Sequence, residues 1–217
     1  MHKPILRRVG LVVVLVNLLQ LAWTAYLATS SHEFYFDFTV LAAGIALLWG
    51  SLAYAHFVRR VAAFGLGALL CFAAYWLVAV PPALIMAELR LQTLETVSDL
   101  ASYVLDILVA AWTVRELSRP EILSDAPNHS YAWVTPKLAF AGGIGLCVAI
   151  GAFLLPAAFG ETGARAVREA SAGLGSDFNY HLAGLSIEYV NGTRHVSGTV
   201  TAWNDFAVLD VPFAWDD

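Results

Sequence analysis

Residues Leu94–Arg119 read LETVSDLASYVLDILVAAWTVRELSR. As one helix this stretch is apolar enough to cross a bilayer. It nonetheless carries Asp106 near its middle and Asp99 and Glu95 toward one end. An acid within hydrocarbon is expensive, so its presence asks for a partner or a function. Glu95, Asp99, Ser102 and Asp106 follow one another at intervals of four, three and four residues. That spacing puts them on one helical face, with Tyr103 beside them. Counted from Arg115 at about 1.5 Å per residue, Asp106 lies about 13 Å in, near the midplane of a ~30 Å core.

The rest of the chain supplies a membrane setting for that helix. Of its 217 residues 59% are hydrophobic and 13% charged, with a mean hydropathy of +0.67. A soluble domain carries about 25% charged residues, so the deficit goes with long apolar runs rather than with a large soluble core. The runs are Val9–Ala28, Phe38–Val58, Val61–Met86, Val97–Val114 and Leu138–Phe159. They predict an all-α membrane domain over residues 1–159, a five-helix transmembrane bundle. The first run exceeds a signal-peptide core and holds Trp23 and Tyr26 where cleavage needs small residues, so it reads as a helix. The second ends on Arg59-Arg60 and the third begins at once, which predicts a tight hairpin there. Pro81-Pro82 should kink or end the third run. Ala83–Thr96 mixes Leu with Glu88, Arg90 and Glu95 and reads as interfacial. Arg115–Pro136 reads as a polar loop.

Cations set the expected orientation. With the N-terminus inside, Lys3, Arg7, Arg8, Arg59, Arg60, Arg115, Arg119 and Lys137 fall inside, against Arg90, Arg165, Arg168 and Arg194 outside. Five spans then put the C-terminal tail outside. The expected location is the plasma membrane, of the bacterial inner-membrane type, with an extracytoplasmic tail.

That tail reads as a linker or short helix over 160–174, then a small acidic β unit over 175–217. Asn191-Gly192 between the β-rich runs Leu185–Val190 and Thr193–Trp203 is a strong hairpin signal. Phe206–Trp215 adds a third antiparallel strand, with Pro212 suited to an edge. Three short strands make a small core. The sheet should therefore lean on helix ends, another subunit, or the bilayer through Trp203, Phe213 and Trp215. The tail also carries the whole net charge of −5: nine Lys/Arg balance nine Asp/Glu over 1–159, and three Arg face eight acids beyond. This excludes a nucleic-acid role.

Depth counting supplies neighbours for the central acid. Nine residues beyond Arg8 in the first run stands Asn17, with Gln20 and Thr24 continuing its face. Packing of the first run against the fourth would let these amides bond Asp106. No Lys or Arg falls within any of the five predicted spans. Asp106 is thus a neutral register-setting anchor, the partner of a cation on another subunit, or part of a proton or cation path. The intramembrane polar cluster is Asp106, Asp99, Glu95, Ser102, Asn17 and Gln20.

Little else points to chemistry. Cys71 and Cys147 are two apolar-run thiols, forming no disulfide framework and too few donors for a metal site with Asp106. No His is mid-span, so no haem is expected, and no catalytic or nucleotide motif occurs. No cofactor is expected. Small residues at helical spacing (Ala42, Ala46 and Gly50; Ala63 and Gly67; Ala141, Gly145 and Ala149) suit close helix packing or a homo-oligomer. The expectation is a non-enzymatic membrane accessory or scaffold subunit of a larger assembly, docking a membrane-protein partner through helix faces and the β tail. The alternative is a small proton- or cation-linked carrier or channel that uses the acidic face.

Overall fold

The computed structural model describes residues 3–28, 38–50, 52–123, 135–190 and 192–217. Helices α1 (Lys3–Ala28), α2 (Phe38–Leu48), α3 (Leu52–Ala79), α4 (Pro82–Leu91), α5 (Thr93–Glu116), α6 (Pro120–Leu123), α7 (Pro136–Phe159) and α8 (Glu161–Leu174) precede strands β1 (Asn179–Val190), β2 (Thr193–Trp203) and β3 (Val208–Asp216). Four of these helices, α1, α3, α5 and α7, are long and apolar enough to cross a membrane. The chain forms two compact units, residues 1–71 with 101–146 and residues 72–100 with 147–217.

The expected hairpin at Arg59-Arg60 is corrected. The chain turns at Gly50, whose φ of +76° suits a residue without Cβ. From Leu52 to Ala79 it is one helix, with Arg59 and Arg60 inside it. Charge alone does not stop a helix: Arg is a good helix former, and no Gly or Pro stands between Leu52 and Phe64. The expected second span therefore shrinks to the 11 residues of α2, which rise about 16 Å, roughly half of a ~30 Å core. The statement that no Lys or Arg lies within a span falls with it, since α3 carries two.

In the first unit α2 returns along α1. Gly10 faces Gly44 and Leu48, and Lys3 reaches Gly50. A core of Leu6, Val9, Leu47, Val58, Leu117 and Ile122 gathers the start of α1, the end of α2, the start of α3 and the α5–α6 corner. Further along, α3 and α7 cross backbone to backbone. Gly67 lies against Phe140 and Ile144, and Gly143 against Phe64 and Ala68. The small-residue face of α7 is thus centred on Gly143. Gly145, expected on that face, has open space around it, and Gly50 serves the turn rather than packing.

In the second unit the strands form an antiparallel sheet in the order β1-β2-β3. Gly192, at φ +85°, makes the hairpin turn. Pro212 sits in the edge strand β3 opposite Thr199, where its missing N–H is tolerated. One sheet face packs Val196, Val200 and Phe213 onto Ala166 and Ala170 of α8. The stretch 160–174 is therefore the helix that covers the sheet. Trp203 and Phe213 are buried rather than presented outward. Trp215 stacks on Phe213 and lies under the Arg165 guanidinium, 4.5 Å from its ring centre. Arg165 and Arg194 both bond the Asp217 carboxylate, at 2.7 and 3.3 Å, and Arg165 above all holds that carboxyl below the usual range.

The crossing of α3 and α7 gives a direct test. A Cβ on Gly143 would stand 2.9 Å from the Ala68 nitrogen and closer still to the Phe64 carbonyl. Gly143→Ala should destabilise the purified protein by about 1–3 kcal/mol, the usual effect of overpacking. Gly145→Ala should be neutral or slightly stabilising, because the new methyl meets nothing and Ala is the better helix former. Thermal melts in detergent that rank the two variants the other way would refute the crossing.

Candidate functional site

The first unit contains a cleft of about 950 Å³ between α1, α2, α3 and α5. Its walls are mostly apolar, and several are built of small residues: Ala42, Ala43, Ala46, Ala62, Gly65 and Ala110. Into it come Asn17, Gln20 and Thr24 of α1 and Ser102, Asp106 and Thr113 of α5. The helical periods explain both sets. Residues at i, i+3 and i+7 of α1, and at i, i+4 and i+11 of α5, share a face.

The sequence-predicted cluster comes together in part. The Gln20 side-chain amide donates to Asp106 Oδ1 at 2.8 Å. The Asn17 amide instead donates to the Val13 carbonyl of its own helix at 3.0 Å, as short polar side chains do. Ser102 lines the cleft. Tyr103 turns away to donate its hydroxyl to the Leu69 carbonyl of α3. Asp99 and Glu95 are exposed, belong to the second unit and do not line the cleft.

Two polar features escaped the sequence reading. The Thr113 hydroxyl lines the cleft, is 3% exposed and has no hydrogen-bond partner among the described residues. Glu116, 4% exposed, accepts from Arg8 of α1 and from Arg119 at 2.6 Å. Its signal was the Glu–Arg spacing of three residues, which a helix ending at Val114 left in a loop.

The second unit holds a cavity of about 730 Å³. Phe72, Tyr75 and Trp76 from the end of α3 form an aromatic wall, with Phe159 of α7. Glu88 of α4, Arg168 of α8, and Tyr180, His181 and Thr201 of the sheet supply its polar groups. His181, Thr201 and Asp210 stand side by side across the three strands. The Thr201 hydroxyl donates to Asp210 at 2.8 Å. Burial, and then the Asp210 charge, push the Glu88 carboxyl up. Burial pushes the His181 imidazole down. Among the described residues no group of three or more His, Cys, Asp or Glu is arranged to hold a metal ion.

No family model, curated protein or solved structure matches this chain. The class it defines is a mainly helical protein with four membrane-length apolar helices and a three-stranded antiparallel sheet at its C-terminal end.

Glu88 makes the second cavity sensitive to pH. Its folded carboxyl binds its proton more tightly than the unfolded one, so the associated stability is full below the ordinary value of 4.5 and is lost as pH rises through the folded value. In detergent without added phospholipid, Glu88→Gln should melt like the wild type near about pH 4 and higher than it near about pH 8. Equal melting of the two proteins at the higher pH would count against this placement of Glu88.

Proposed function

We propose that this chain is a non-enzymatic integral membrane subunit of a larger assembly, and that the first-unit cleft receives a helix of another subunit. The carrying observation is the cleft itself: small-residue walls around an exposed acid, Asp106, and a buried hydroxyl, Thr113, that has no described partner. Small walls let a backbone approach closely, and packing drives helix association where water supplies no force. The incoming helix brings an apolar face with one Lys, Arg or amide at the depth of Asp106. The sheet unit docks partners outside the bilayer.

The topology proposed with it keeps five crossings. Lys3 and Gly50 lie together, so α1 and α3 start at one end of the first unit. α2 runs back toward that end beside α1 over about half of a core thickness, and we read it as part of a crossing. Arg8 and Arg119 lie at that same end around Glu116. The cation rule favours a cytoplasmic position for that end, and we propose an N-terminus inside and a C-terminal tail outside a bacterial-type plasma membrane.

A proton- or cation-linked carrier is the second reading, favoured by the meeting of Asp106, Gln20, Ser102 and Thr113 in one cleft. The acids that would extend a path, Asp99 and Glu95, do not line it.

Gly65 offers a test that spares the fold, because it lines the cleft and a Cβ there meets nothing within 4 Å. Gly65→Trp should melt like the wild type and lose its native membrane partners on purification in mild detergent. Asp106→Asn keeps shape and hydrogen bonding without charge, and should weaken the same association by about tenfold or more, near 1.4 kcal/mol. Retention of every partner by both variants would remove the docking reading. A pH-dependent flux in liposomes, abolished by Asp106→Asn, would install the carrier.

A further inference from the structure

The second cavity is a different kind of site from the cleft. One wall is aromatic and belongs to the ends of two helices, α3 and α7, that have membrane length or nearly so. Aromatic residues concentrate at such ends because their rings suit the headgroup layer. Phe72, Tyr75 and Phe159 are large side chains that line it and remain exposed, Phe159 at 68%. A soluble ligand would leave that surface wet, whereas an acyl chain would cover it. The opposite wall is polar and carries both signs. Glu88 is half-buried beside the Asp210 charge and has no cationic partner among the described residues. Arg168 makes no ion pair among the described residues. His181 and Thr201 stand nearby with ring-nitrogen and hydroxyl acceptors.

We propose that this cavity binds the headgroup of a phospholipid with a primary ammonium, phosphatidylethanolamine. The ammonium sits against Glu88 and the ring faces of Tyr75 and Trp76, and the phosphate on Arg168. Each pole meets the opposite charge. Guanidinium is well matched to phosphate, and a cation over an aromatic face gains further attraction. Three N–H donors suit the carboxylate, imidazole and hydroxyl acceptors, which a quaternary ammonium cannot use. The volume, about 730 Å³, falls within the ordinary range for ligand sites of roughly 300–1,000 Å³.

The test uses the full chain, delipidated in mild detergent and offered equal amounts of phosphatidylethanolamine, phosphatidylcholine and phosphatidylglycerol, with bound lipid counted by native mass spectrometry. The wild type should retain one phosphatidylethanolamine, preferred about tenfold or more over the other two. Glu88→Gln should erase that preference while still binding lipid. Arg168→Gln should weaken phosphatidylethanolamine and phosphatidylglycerol alike, since both share the phosphate. Free phosphoethanolamine should compete only at much higher concentration, because it lacks the chains. Equal retention of all three lipids by the wild type overturns the proposal without reliance on any variant. An unchanged preference in Glu88→Gln overturns the ammonium contact. Phosphoethanolamine binding as tightly as the lipid overturns the lipid assignment in favour of a soluble phosphoamine.

Discussion

Glu116 fixes how the first unit is put together. It is a carboxylate with almost no exposed surface, and it accepts hydrogen bonds from Arg8 of α1 and from Arg119 just beyond its own helix. Both arginines are about half exposed, so losing one costs less than the ~3–5 kcal/mol of a fully buried pair, yet it still leaves a buried carboxylate less compensated. That penalty sets the register of α1 on α5 at one end. The second contact, Gln20 to Asp106, then follows from geometry. From Arg8 to Gln20 is about 18 Å of helix and from Glu116 to Asp106 about 15 Å at the standard rise, so two antiparallel helices meet at both points with little adjustment. Without Glu116, neither pair of side chains has a reason to share a depth.

The cleft is what this register leaves over. Where helices approach closely they do so through glycine: Gly10 against Gly44, and Gly67 and Gly143 at the α3–α7 crossing. Packing of that kind is local and draws backbones together at a point. Away from those points the cleft is lined by Ala42, Ala46, Ala62 and Ala110, whose small side chains leave it open. In water such a gap would be covered by moving the walls together. In a bilayer a lipid chain or another helix can fill it at little loss, which is why small residues mark contact surfaces there.

The long apolar helices were legible, because hydropathy over long runs is a summed signal that single residues do not disturb. The hairpin was legible for the opposite reason, since one dipeptide, Asn191-Gly192, carries it alone. The turn at Gly50 was misplaced to Arg59-Arg60 because charge was read as a boundary, whereas backbone conformation decides where a helix stops. Helical spacing put Ser102 and Asp106 on one face, and both line the cleft, whereas depth counting pointed to Asn17 and reached Gln20, the residue that bonds Asp106, only by continuing its face. Spacing could not say where the α5 face ceases to be covered, so Asp99 and Glu95 were carried into the cluster. Thr113 and Glu116 lay at the edge of a helix drawn too short. The second cavity was invisible in sequence, since Glu88, Arg168 and His181 come from three distant elements and share no spacing rule.

The energetics of Asp106 decide what the cleft still lacks. An ionised acid at the centre of a bilayer costs about 2.5–3.5 kcal/mol on insertion scales, and more in simulation. One hydrogen bond to a charged group contributes about 1.5–3 kcal/mol net. Gln20 alone therefore offsets part of the insertion-scale cost and falls short of the larger values. The two arginines inside α3 do not line the cleft. Two states remain: a neutral acid that keeps its bond to Gln20, or an anion compensated from outside the chain. A neutral acid leaves the Thr113 hydroxyl as it is, buried and without a hydrogen-bond partner among the described residues. Asp106 and Thr113 stand about 10 Å apart along α5, so an incoming helix meets both by carrying two polar side chains, one at each depth. A single occupant thus relieves two polar groups at once, which is the physical case for a partner over an isolated bundle.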